Sequence, residues 1–232
     1  MNAPKSAPVS AIPCWSCEVP TNGAAFCPAC GKIQSLPADG DYFTTFGLPH
    51  KLWANMDALE QKFLQLSWKL HPDNFVNMTE SEKEMSLQRS STLNDAYRVL
   101  RDPVARVEYL LELEGMRKEG EHKQQAPPEL LEEVFELNES LDELREAKSA
   151  GANLDALSGR LRSAEKNFGE KLHEVDNGLK TAAQQWDASL EANASESDRG
   201  AILQRLNELL NRRSYIRNLV AGVEKELTGA AS

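Results

Sequence analysis

Four cysteines, spaced Cys14-x2-Cys17-x9-Cys27-x2-Cys30, are the residues whose types and spacing most directly specify chemistry. Two CxxC pairs suit tetrahedral coordination of a zinc ion by thiolates. Each pair makes a tight knuckle whose backbone N–H groups can point at the sulfurs, and the nine-residue spacer brings the two knuckles together. The rival readings are a disulfide module, which needs an oxidising compartment, and a thiol-redox CxxC, which needs a βαβ context that the sequence lacks. Four protein ligands leave zinc no open position, so the site reads as structural, with one ion per chain. Trp15 and Phe26 are expected to pack over so small a module.

A second constellation is His71-Pro72-Asp73. Proline disfavours a helical conformation in the residue before it, so His71 should end a helix. A histidine and a carboxylate then stand side by side on a stiff, exposed turn. His71 has no nucleophile or metal-ligand companion, and His50, His122 and His173 are scattered through the chain. The turn therefore reads as a surface for recognition, and the chain is expected not to be an enzyme.

The elements that must position these residues are helical. Asp41 precedes an aromatic cluster (Tyr42, Phe43, Phe46) that stops at Gly47-Leu48-Pro49. Leu59, Phe63, Leu66 and Leu70 recur at intervals of 4, 3 and 4, the core stripe of a helix running from Met56 to Leu70. Lys62, Gln65 and Lys69 lie on its other face, a polar strip leading up to His71. Thr79 and Glu82 form a capping-box signature for the next helix, which carries Met85, Leu93, Ala96, Tyr97 and Leu100. Asp102-Pro103 ends that helix and starts another.

Residues 116–128 read as a linker ending in Pro127-Pro128. Three long apolar stripes follow: Leu130 to Leu144, Leu154 to Trp186, and Ile202 to Leu227, at spacings of 3, 4 and 7. Short connections make these an antiparallel three-helix bundle over 129–232. Leu131 and Phe135 sit one place off the first stripe, beside Glu132, Glu136 and Glu139, and either widen the core face or form a second apolar ridge. The fold class is all-α: a small tetracysteine module with a flexible N-terminus in 1–36, a helical domain in 41–115, and the bundle.

Net charge is -10, spread along the chain, with residues 1–40 neutral; this counts against nucleic-acid binding through phosphate neutralisation, including by the zinc module. No apolar run approaches a membrane span, and the first residues lack the pattern of a secretory signal.

The segments DYFTTFGLP, WKLHPDNF and LNDAYRVLRDP together resemble a J-domain over about 41–115. The opening phrase, the HPD phrase and LRDPVARVEYLL (residues 100–111) are similar to the HscB (Jac-type) co-chaperones of iron–sulfur cluster assembly. In that family a three-helix C-terminal domain follows, and some members carry an N-terminal CxxC…CxxC module. The resemblance implies an activator of a DnaK/HscA-type ATPase chaperone that docks through His71, Pro72, Asp73, Lys62, Gln65 and Lys69. It further implies binding of an IscU-type iron–sulfur scaffold protein at Leu131, Phe135, Glu136, Glu139 and Tyr215. Glu132 stands where the family usually has a hydrophobic residue. The bacterial cytoplasm and the mitochondrial matrix both house the family. A J-protein serving a different client is the alternative of the same class.

Overall fold

In a computed structural model, residues 12–38, 40–53, 55–117 and 127–228 are described. The expected flexible N-terminus up to residue 11 and most of the expected linker (118–126) lie outside them. Among the described residues the helices are α1 (Tyr42–Thr45), α2 (Met56–Leu70), α3 (Glu80–Arg101), α4 (Pro103–Leu113), α5 (Leu131–Ser149), α6 (Asp155–Glu191) and α7 (Glu196–Thr228). β-pairing is limited to isolated bridges, Pro13 with Pro20 and Phe26 with Ile33. No described helix is long and apolar enough to cross a membrane.

The chain divides into two compact units. The first comprises the described residues up to Leu113 together with Trp186–Arg199. Its core gathers Phe43 and Phe46 with Leu59 and Leu70 of α2 and Leu93, Ala96 and Leu100 of α3. Phe63 stacks on Tyr97 at 4.1 Å between ring centroids, and Tyr42 on Tyr109 at 4.5 Å. The first helix stops at Gly47, as the sequence implies. Asp41 and Thr44 cap α1 reciprocally. Gly47 then takes φ +56, with Gly47 N–H donating to Thr44 O and Leu48 N–H to Phe43 O. This paired closure needs a left-handed residue, which glycine supplies at no steric cost. The Asp102 carboxylate accepts from the amides of Val104 and Ala105, and Pro103 opens α4.

Two features of this unit escape periodicity. Trp186, the last member of the second sequence stripe, lies in this unit, where its indole N–H donates to His50 O at 2.8 Å. Next to it, the Asp187 carboxylate accepts from the amides of Leu52 and Trp53, both at 2.7 Å. The end of α6 thus holds the 48–53 segment, and buried Arg106 ties that segment to the end of α3 by donating to both Leu52 O and Leu100 O.

The second unit comprises the described parts of Glu114–Gln185 and Gly200–Ser232. It buries Val134, Leu137 and Leu144 of α5, Leu161, Phe168, Val175 and Leu179 of α6, and Leu206, Leu209, Ile216 and Val223 of α7. Leu203 and Leu210, one place beside the third stripe, are buried as well. Leu130, also fully buried, belongs to a 3-10 turn, Pro128–Leu130, that leads into α5. Ion pairs fix the helix directions. Glu133–Lys171 and Glu143–Arg160 run in opposite senses along α5 and α6, so those two are antiparallel. Glu129–Arg212 and Arg145–Glu226 rise together, so α5 and α7 are parallel, the up-down-up order of a three-helix bundle.

Candidate functional site

The two cysteine pairs build matching knuckles. In the first, the Ser16 amide donates to Cys14 Sγ at 3.4 Å; in the second, the Ala29 amide donates to Cys27 Sγ at the same distance. Each knuckle closes through its fifth residue: Glu18 N–H donates to Cys14 O, and Gly31 N–H to Cys27 O. Both fifth residues are left-handed, at φ 62 and φ 71. Cys14 faces Cys30 and Cys17 faces Cys27, each pair with sulfurs 3.6 Å apart, and all four sulfurs lie within 4.8 Å of one another. A disulfide needs about 2.05 Å, so neither contact is a bond. A tetrahedral ion with metal–sulfur arms of about 2.3 Å spans roughly 3.8 Å along each edge. The cluster fits such an ion.

The thiols also interact electrostatically. Burial pushes Cys14 up, but the amides of Ser16 and Cys17 and the thiols of Cys30 and Cys17 outweigh it and hold Cys14 down at about 6. Cys27 is lowered chiefly by the Cys30 amide, against the opposing effect of burial. At Cys17 the Val19 amide works downward, but burial and the other three thiols push it up to about 12. The thiolate form is thus favoured at Cys14 and Cys27 by amide and thiol donors, with Gln34 Nε2 also donating to Cys14 Sγ at 3.3 Å, and thiolates are the form that ligates a metal.

The module does not stand alone, a point that sequence spacing missed. Ile33 is fully buried in the core shared by α1, α2 and α3, with Phe26 packed against the same cluster. Phe26 therefore covers that core. Trp15 stays largely exposed, its indole N–H donating to Ile33 O at 2.6 Å and Lys32 lying 5.7 Å from its ring. Arg89 of α3 is buried and donates to four module carbonyls: Gln34 and Ser35 at 2.7 Å, Ala24 at 3.2 Å and Gly23 at 3.4 Å. Burial pulls its guanidinium down to about 10, still charged at neutral pH. Lys32, two residues past Cys30, pairs with Glu82 at 2.7 Å. Glu82 also accepts from Thr79 N–H and Oγ1 in the capping box, and Lys32 first, then Thr79, hold its carboxyl at about 2.

The HPD turn sits at the other end of the same contacts. His71 ends α2 with φ -57 and ψ 131, the extended conformation imposed by Pro72. Pro72–Phe75 form a 3-10 turn in which the Asp73 amide donates to His71 Nδ1 at 3.3 Å and the Asn74 amide to His71 O at 2.9 Å. Buried Phe75 anchors the turn in the core. The last carbonyl of α2, Leu70 O, accepts from Ser86 Oγ at 2.7 Å and Ser90 Oγ at 2.9 Å, both on α3. Asn74 Nδ2 closes onto Trp68 O at 2.7 Å. The backbone is held from both sides while two side chains of the turn stay out, His71 at 58% and Asp73 at 85% exposure. Lys62, Gln65 and Lys69 are exposed on the α2 face away from the core.

In the second unit, Leu131 and Phe135 are 54% and 72% exposed, so they do not widen the bundle core. With Glu139 they follow at intervals of four along one ridge of α5, and Glu136 is exposed beside it. Tyr215 is half-buried on α7, one turn beyond Arg212, which pairs with Glu129 at 2.8 Å just ahead of α5.

Comparison with known proteins follows this geometry. The chain is 33% identical over 146 residues to the co-chaperone protein HscB homolog of Vibrio vulnificus, in two strains, covering 63% of this chain and 82% of the relative. The chain belongs to the HscB co-chaperone family. No family model matches it. The crystal structure of human co-chaperone protein HscB shares the fold, with TM-score 0.61 at 24% identity, covering 93% of this chain and 98% of that one. This HscB-family chain thus joins a tetracysteine cluster to an exposed HPD turn through one helix, α3.

Gly31 isolates what the knuckle geometry contributes. A Cβ there meets nothing within 4 Å, so Gly31→Ala adds only left-handed backbone strain. At roughly 1 kcal/mol, that strain should loosen metal retention about fivefold in a chelator competition. Unchanged retention would mean that the knuckle tolerates strain at its fifth residue.

Proposed function

We propose that this chain is a J-protein co-chaperone of iron–sulfur cluster assembly that presents His71-Pro72-Asp73 to a DnaK/HscA-type ATPase chaperone and brings it an IscU-type scaffold. The observation that carries the reading is the HPD turn: a backbone tied down by Ser86, Ser90, Asn74 and Phe75, with the histidine and aspartate side chains in solvent. A surface held in one conformation loses little entropy on docking, so more of the contact energy is left to act on the partner.

The roles divide by chemistry. Asp73 supplies the charged contact, His71 hydrogen-bonds and positions, and Pro72 stiffens the turn. Lys62, Gln65 and Lys69 extend the docking face along α2. Nothing in this turn does bond chemistry; hydrolysis belongs to the partner, and the chain acts as an activator. The exposed ridge of Leu131 and Phe135, rimmed by Glu136 and Glu139, has the apolar centre and polar edge of a protein-binding surface. It is assigned to the scaffold, with Tyr215 contributing from α7. The organisation into a zinc module (1–36), J-domain (41–115), linker (116–128) and scaffold-binding bundle (129–232) is part of the same proposal.

Zinc is the ion proposed for Cys14, Cys17, Cys27 and Cys30, since four thiolates in tetrahedral array suit it and leave no coordination site for substrate. Bound there it supplies structural crosslinking. Elemental analysis should find one zinc per chain, and a metal-free protein would remove the assignment.

His71→Gln should keep helicity and thermal stability while reducing ATPase stimulation of the partner chaperone to near its unstimulated rate. Full stimulation by the folded variant would refute the proposal. Leu131→Ala with Phe135→Ala should weaken scaffold binding about tenfold or more in a calorimetric titration, while the exposed sites leave the fold unaffected. Unchanged affinity would place the scaffold surface elsewhere.

A further inference from the structure

The docking face of α2 carries more than its polar strip. At about 100° per residue, the core stripe of Leu59, Phe63, Leu66 and Leu70 occupies one side of the helix, and Trp68 points almost opposite to its centre. Trp68 is 79% exposed and Leu64, one turn before it, is 59% exposed. The two are neighbours at i and i+4 and form a continuous apolar ridge. Gln61 and Gln65 lie between this ridge and the lysines Lys62 and Lys69 on the wheel, so ridge and lysines share one solvent-facing surface.

The ridge also runs into the HPD turn. Trp68 stands three residues before His71, and its carbonyl accepts from Asn74 Nδ2 of that turn at 2.7 Å. Charge makes the ridge consequential. α2 carries Asp57 and Glu60 against Lys62 and Lys69, so the helix is electrically neutral, on a chain of net charge -10. Long-range attraction to an acidic partner is correspondingly weak, and affinity must come from short-range contact. A large aromatic side chain beside a few charges is the composition of an interface anchor.

We infer that Trp68, supported by Leu64, is an apolar anchor for the ATPase chaperone, entering a depression on the partner next to the carboxylates that meet Lys62 and Lys69. The inference rests on the co-chaperone reading above and deepens it. It makes this chain specific for a chaperone whose docking surface has an apolar pocket beside acidic groups, and poor at engaging one whose surface is only acidic.

The test is single-turnover ATP hydrolysis by the DnaK/HscA-type chaperone as a function of co-chaperone concentration, with circular dichroism and metal content as fold controls. Trp68→Ala should raise the half-saturating concentration about tenfold or more while leaving maximal stimulation unchanged. Trp68→Phe, which keeps an aromatic anchor, should recover most of that loss. His71→Gln should instead abolish the maximum. Wild-type half-saturation in Trp68→Ala, with His71→Gln inactive, overturns the anchor and leaves the co-chaperone reading standing. Stimulation retained by His71→Gln overturns the reading itself, and the anchor with it. Wild-type self-association in sedimentation that is lost in Trp68→Ala, with chaperone half-saturation unchanged, assigns the ridge to a second copy of the chain and also overturns the inference.

Discussion

A proline two residues past the end of α2 forces the helix to stop, and a stopped helix leaves its last carbonyls without partners. Much of the first unit answers that constraint. Leu70 O is taken by Ser86 and Ser90, and Trp68 O by Asn74. Buried carbonyls that lose their partners cost about 1–3 kcal/mol each, enough to fix α3 against the end of α2. The turn that results has little freedom in its backbone, with the His71 and Asp73 side chains exposed. Recognition by a partner chaperone, as proposed, exploits this combination.

The helix that clamps the turn also carries the tetracysteine module. Glu82 and Arg89 stand about two turns apart on α3, with Ser86 and Ser90 interleaved one place or one turn away. One set of side chains reaches toward Leu70 and the other toward Lys32 and the module's carbonyls. The knuckles therefore contribute Ile33 to the same core that supports α2. A module of this size has too little apolar surface to fold by burial alone; docking on a larger domain supplies part of what it lacks, and the metal crosslink proposed for the four cysteines would supply the rest.

Helices and their ends were legible in the sequence because capping and periodicity are local. Thr79 with Glu82, Asp102 with Pro103, and the Leu59–Leu70 stripe all take the roles their spacing implies. The cysteine knuckles were legible for the same reason, although the left-handed fifth residue that closes each one, Glu18 and Gly31, shows only in the structure. Long-range pairings were not legible. Arg89 reads as an ordinary helical arginine until the carbonyls of residues 54 to 66 positions earlier are seen around it. Asp187 meets the Leu52 amide across 135 residues, and Trp186 fits the bundle's periodicity although its partner is His50. Leu131 and Phe135 show the reverse difficulty: periodicity leaves open whether an off-stripe pair widens a core or faces solvent, and only their exposure decides.

The most direct measurement of the central claim is single-turnover ATP hydrolysis by the partner chaperone in the presence of this chain, the scaffold, or both. The account predicts stimulation by the chain alone and a more than additive rate when the scaffold is present, because the HPD turn triggers hydrolysis and the bundle supplies the client. A rate equal to that of the chaperone alone, with a folded and metal-loaded chain, would contradict it.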